Sequence, residues 1–224
     1  MTRDQVRERI RSVGIIPAVR VATAEEARFA VEAIAGGGIP IVEITMTVRG
    51  ALDVIADLVS SDSELIVGAG TVLNVETVAS CIDAGAHFIT SPSLNAPVVQ
   101  ESQKRGITVI PGAMTPSEVC AAWDLGADFI KVFPCAQIGG PNYIRALRKP
   151  FPDVPIIAAG GVNQHSAADF IRSGADILGI GTGLVSADAL SHHESKRIRE
   201  LARRYVAIVI NTREEMSANR SRNH

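Results

Sequence analysis

Residues 126 to 134 read GADFIKVFP. The glycine allows the left-handed backbone that ends a helix. Phe129, Ile130, Val132 and Phe133 then form a short apolar run with the β-rich composition of a buried strand. One lysine, Lys131, interrupts the run. The pattern of helix-ending glycine, small or polar residue and apolar strand recurs: AGGGIPIVEI precedes it at 35–44, DAGAHFIT at 83–90, and RSGADILG follows at 172–179. A repeated unit of helix, glycine and strand predicts parallel strands joined by helical crossovers.

Eight strands are predicted in all, at 15–20, 39–45, 65–70, 87–92, 107–112, 128–133, 155–161 and 177–183. Between them lie segments such as TAEEARFAVEAIAGG and TPSEVCAAWDLG, with apolar residues at three- and four-residue steps. Thr23, Asn74 and Thr115 stand at their starts as caps. Eight alternating units in 224 residues predict an α/β fold, a single closed (β/α)8 TIM barrel. A dinucleotide-binding open sheet is disfavoured, because no G-x-G-x-x-G enters a helix after the first strand. A helix at about 3–13 precedes strand one and is expected to cover the barrel bottom. The barrel domain is expected to span 1–212, with a last helix at about 187–211. The polar tail 213–224 is expected to lack order.

Composition narrows the function. The net charge of −2 argues against a general nucleic-acid or membrane-surface binder. Three scattered cysteines suit neither a disulfide framework nor a zinc site. The start, MTRDQVRERIRSVG, is charged and lacks the apolar core of a secretory signal. A cytoplasmic location is expected.

Strand alternation then assigns Lys131. If it faces the barrel interior, so do Phe129 and Phe133, and Ile130 and Val132 face the helices. The opposite register would wedge an ammonium between strand and helix layer. Lys131 is therefore expected near the C-terminal ends of the strands, where barrel active sites lie. Desolvation there disfavours the charged amine, and a neutral amine attacks carbonyl carbon. By the same alternation Glu43 in VEIT points inward at the same end. It either salt-bridges Lys131 or moves protons for it. Thr71 sits in a glycine-rich turn after strand three. The glycine turns after strands seven and eight, AAGGVN and GIGTG, occupy the place where barrels often bind phosphate.

With these residues located, the chain resembles the 2-keto-3-deoxy-6-phosphogluconate (KDPG) and 4-hydroxy-2-oxoglutarate aldolase family. The matching pieces are VEITMT (42–47), VGAGTVLN (67–74), ITSPSLN (89–95), VIPGAMTPSE (109–118), FIKVFP (129–134) and AAGGVN (158–163). The resemblance implies a class I aldolase that needs no cofactor or metal, acts on a small keto-acid phosphosugar and assembles as a homotrimer. It implies that Lys131 is the Schiff-base lysine and Glu43 the proton shuttle, working with a bound water. Thr71 would hold the keto-acid carboxylate, and Pro92 and Phe133 would line the pyruvate pocket. Gly160 and Gly161 would bind the distal phosphate, helped by Gly181 and Thr182. Thr47 stands where the family's strand-two arginine is expected, so Arg20, or failing that Arg49, would have to supply the cation. The strand-eight turn reads GTGLV, one residue shorter than usual.

The remaining candidates are given structural readings: His87 a polar cap, Cys135 a bystander, Trp123 packing against a helix or subunit. Competing functions are an aldolase of 4-hydroxy-2-oxoglutarate or of the galactonate-derived phosphosugar acid, a phosphosugar isomerase or epimerase, and a non-catalytic sugar-phosphate sensor.

Overall fold

A computed structural model describes residues 1–222. Among them the chain forms nine strands: β1 Ile15–Val19, β2 Ile41–Thr45, β3 Ile66–Gly70, β4 Phe88–Thr90, β5 Thr108–Ile110, β6 Gly112–Ala113, β7 Ile130–Val132, β8 Ile156–Ala159 and β9 Ile177–Ile180. The helices are α1 Arg3–Val13, α2 Ala24–Ala35, α3 Ala51–Ser61, α4 Val75–Asp83, α5 Ala96–Lys104, α6 Pro116–Asp124, α7 Gly140–Arg148, α8 Ala167–Arg172, α9 Ala187–Ser191 and α10 Ser195–Arg222. All strand pairs are parallel, in the order β5-β4-β3-β2-β1-β9-β8-β7-β6.

The two ends of that order are one stretch of chain. Pro111 lacks an N–H and divides the expected fifth strand into β5 and β6. β5 pairs with β4, and β6 pairs with β7. The Pro111 carbonyl still accepts the Lys131 N–H at 2.9 Å. The barrel therefore closes through 108–113, and the eight expected strand positions are all filled.

Two apolar layers follow from the alternation. Ile16, Ile41, Ile66, Phe88, Ile110, Phe129, Ile157 and Ile177 fill the interior, and the partners of opposite parity, such as Ile130, Val132 and Ile89, face the helices. Burying each such side chain stabilises by about 1.5–3 kcal/mol. Helix α1 closes the bottom as expected. A Thr2 capping box starts it, and Gly14 ends it in left-handed backbone (φ 72°). Val6 and Ile10 join the interior cluster. Arg3 and Arg7 reach buried Asp128 at 2.9 and 3.2 Å, and Asp128 also accepts the Val109 N–H. The stretch that carries Lys131 thus also anchors the bottom plug.

The last helix differs from expectation. It breaks at 192–194, where His193 takes φ 51°, and then runs to Arg222. Residues 213–222 are helical rather than without order, and 223–224 lie outside the described residues. Three carbonyls explain the extension: the Arg213 guanidinium donates to Ser12, Arg11 and Asp176. Thr212 is buried, and Met216 packs on the core.

Candidate active site

The inward placement of Lys131 and Glu43 holds. Lys131 Nζ lies 3.5 Å from Glu43 Oε2, with the two side chains 12% and 4% exposed. Charge-assisted hydrogen bonds normally close to about 2.7–2.9 Å, so this contact is loose. The other carboxylate oxygen, Glu43 Oε1, is buried and has no protein partner among the described residues. A structural buried ion pair would close tightly and satisfy both oxygens, because the desolvation of each charge must be offset. This pair does neither. Lys131 Nζ also lies 5.6 Å from the centre of the Phe133 ring.

Glycines make the space. A Cβ built on Gly70 would lie 2.1 Å from Glu43 Oε1, and one on Gly112 would lie 2.2 Å from the Pro92 carbonyl. Gly70 thus clears the way for the carboxylate, and Gly112, the β-neighbour of Lys131, lets Pro92 approach. Neither was singled out from the sequence; the only signal available there was a glycine at an inward strand position.

Around the mouth, Arg20 Nη2 reaches Thr71 Oγ1 at 3.5 Å, which brings the expected carboxylate-binding threonine and its proposed cation together. Thr71 holds φ 59°, an unusual backbone for a β-branched residue. Thr47 is exposed and its hydroxyl lies 2.7 Å from that of Thr45, whose own proton goes to the Val19 carbonyl. Thr47 therefore spends its donor on Thr45. Arg49 is exposed in the turn before α3.

The glycine turns meet. Gly160 and Gly161 take φ 86° and 83° after β8, and Gly181 and Thr182 follow the adjacent β9. A Cβ on Gly183 would come 2.9 Å from the Val162 carbonyl, so the two turns touch. Gly160 also packs closely under Phe133 and Pro134. Cys135 is buried and donates to the Gly160 carbonyl at 3.4 Å, and burial pushes its thiol up to about 12, so it is no nucleophile. His87 Nδ1 accepts the Val67 N–H at 3.1 Å, in the capping role expected. Trp123 is 40% exposed on α6.

The family model for KDPG and KHG aldolase matches residues 6–201. The KHG/KDPG aldolase of Escherichia coli K12 is 34% identical over 192 residues, covering 86% of this chain and 90% of that protein. The 2-dehydro-3-deoxy-phosphogluconate aldolase of Pseudoalteromonas atlantica is 33% identical, covering 85% and 90%. The crystal structure of the KDPG aldolase of Legionella pneumophila, with pyruvate captured as a covalent carbinolamine, superposes with a TM-score of 0.82 at 27% identity, covering 88% of this chain and 96% of that one.

Proposed function

The chain belongs to the KDPG and KHG aldolase family, and from that premise we propose that Lys131 forms the imine and Glu43 moves the protons of a class I aldol cleavage. The enzyme is a lyase that splits 2-keto-3-deoxy-6-phosphogluconate into pyruvate and glyceraldehyde 3-phosphate. The observation that carries the assignment of residues is the loose contact of 3.5 Å between a nearly buried amine and a carboxylate with one free oxygen.

The steps follow from that pair. The Lys131 amine attacks the C2 carbonyl of the keto acid, and the carbinolamine loses water to give a protonated imine. That cation draws the electron pair of the C3–C4 bond as it breaks, while the C4 hydroxyl loses its proton and the aldehyde departs. The enamine left behind takes a proton at C3, which becomes the pyruvate methyl, and water then releases pyruvate. Glu43 is within reach of the amine and gives and takes these protons. Phe133 and Pro92 line the keto-acid pocket; Thr71 and Arg20 hold its carboxylate. The touching turns at Gly160, Gly161, Gly181 and Thr182 receive the phosphate.

Thr47 in place of an arginine favours a second substrate alongside the first, 4-hydroxy-2-oxoglutarate, which lacks the phosphate. The two are separated by comparing KM with and without the phosphate. A homotrimer is the assembly this reading carries, supported by the exposed apolar side chains of Trp123 on α6 and Met114 just before it and by a 27%-identical chain in a cage built by fusing symmetric oligomeric domains. We place the enzyme in the cytoplasm, in keeping with its three free cysteines.

The test is incubation with pyruvate, reduction with borohydride and peptide mapping by mass spectrometry. A single adduct on Lys131 is expected, absent from Lys131→Met, whose cleavage rate falls by more than about 10⁴-fold. A folded wild-type protein without the adduct would overturn the imine mechanism.

A further inference from the structure

The interior near Lys131 holds a second buried polar atom that the mechanism does not use. Thr90 is 1% exposed, and its Oγ1 has no partner among the described residues. Phe88 points into the barrel and Ile89 towards the helices, so alternation turns Thr90 inward. Its position is defined by the ladder. Gly68 pairs with Phe88 and Ala69 with Ile89, and the next step sets Gly70 beside Thr90. The Val72 N–H to Thr90 carbonyl bond of 3.1 Å continues that register.

Gly70 is the residue over which the Glu43 carboxylate lies, with Oε1 only 2.1 Å from where a Cβ would be. Adjacent strands are about 4.8 Å apart, so Thr90 stands on the strand next to the position over which Glu43 Oε1 lies, and a water between the two oxygens would satisfy both. Both oxygens are buried, both lack a protein partner, and both face the interior that holds Lys131. β4 also lies on the wall between β7, which carries Lys131, and β2, which carries Glu43: along it come Gly112 beside Lys131, then β4, then Gly70.

A strand position does not require this hydroxyl. Valine has the same shape, suits a strand as well, and would leave no unsatisfied donor in the interior. Burying an unpaired hydroxyl carries a cost that packing does not repay.

We propose that Thr90 is a positioning residue for the proton relay: its hydroxyl and Glu43 Oε1 together hold the water through which Glu43 delivers protons to C3 and removes the carbinolamine oxygen. This rests on the assignment of Glu43 as the proton shuttle. Thr90 touches neither the imine nor the aldehyde half, and it acts by holding the water within reach of the carboxylate. Buried waters are typically held by about three polar partners. Glu43, Thr90 and the Lys131 nitrogen or its carbinolamine supply that number.

The test measures exchange of the pyruvate methyl protons for deuterium by NMR, which isolates proton transfer at C3 from carbon–carbon cleavage. Thr90→Val, Thr90→Ser and Glu43→Gln are compared with the wild type. Thr90→Val is expected to melt at or above the wild-type temperature, to keep KM for pyruvate within about twofold, and to exchange between about 10- and 100-fold more slowly. Thr90→Ser retains the hydroxyl and is expected to exchange within about threefold of the wild type. Exchange by Thr90→Val at the wild-type rate, while Glu43→Gln is slow, would overturn the role of Thr90 alone. Equal slowing in Thr90→Ser and Thr90→Val would also overturn it, since packing rather than the hydroxyl would then be at fault. Wild-type exchange by Glu43→Gln would bring down the shuttle assignment and the Thr90 proposal with it.

Discussion

Replacing Gly70 by alanine adds one methyl group, and the structure says where it goes. Its carbon would stand 2.1 Å from Glu43 Oε1, 2.5 Å from Cγ and 2.6 Å from Cδ. Gly70 does not hold a positive φ, so the backbone accepts alanine, and the three nearest clashes are all with the Glu43 side chain. To lengthen 2.1 Å to an ordinary contact of about 3.4 Å, the carboxylate must retreat by more than 1 Å. A misplacement of about 1 Å at a reacting group costs about 10²-fold in rate, or about 2.7 kcal/mol of barrier. Folding opposes this only weakly. Loss of glycine's freedom in the unfolded chain returns about 0.4–1 kcal/mol, and overpacking takes about 1–3 kcal/mol. The protein should fold with a modestly lower Tm while kcat for cleavage falls about 100-fold. A coupled assay of pyruvate release gives kcat and KM, and thermal melting checks the fold. Gly70→Ala in a Glu43→Ala background should add little, because the displaced group is already gone. A folded Gly70→Ala enzyme with kcat within about threefold of the wild type would refute the claim that Gly70 exists to seat the carboxylate.

Arg20→Ala should raise KM for the keto acid about tenfold and change kcat by less than about threefold, since the guanidinium meets a carboxylate that carries the same charge before and during cleavage; a loss confined to kcat would count against its role. Stability should also depend on pH through His87. Burial holds its imidazole below the ordinary value of 6.5, and its Nδ1 accepts the Val67 N–H, which a protonated ring cannot do. The unfolded state therefore binds the proton more readily. His87 contributes stability that is complete above pH 6.5 and is lost as pH falls through the lower, folded value. Urea melts from pH 7.5 to 5 should show stability falling on acidification, with a shallower slope in His87→Asn; identical slopes would refute the point.

GADFIKVFP was legible because its information is local. Alternation along one strand decides which face a side chain occupies, and a buried charge on the helix face is costly enough to exclude. The same rule turned Glu43 inward, and glycines at helix ends announced each new strand. Capping residues were equally readable: Thr23, Asn74 and Thr115 each accept from a backbone N–H in the first turn of their helices. The fifth strand was legible as a strand but not as two: Pro111 marks a missing N–H, but the neighbour that each half pairs with is set across the barrel. The tail was misread for the same reason. Its composition is polar throughout, and its order comes from Arg213 reaching carbonyls at 11, 12 and 176.

By itself, then, the sequence determined the barrel, the inward faces and the residue types gathered at its mouth. How far apart those residues stand is set by the packed barrel. Distances across a barrel depend on closure through 108–113 and on the stagger of neighbouring strands, which no single strand encodes. The 3.5 Å between Lys131 and Glu43, the clearance over Gly70 and the buried hydroxyl of Thr90 belong to that second kind. They arise where segments separated by tens of residues are brought into one packed interior, and there a single methyl or hydroxyl decides the chemistry.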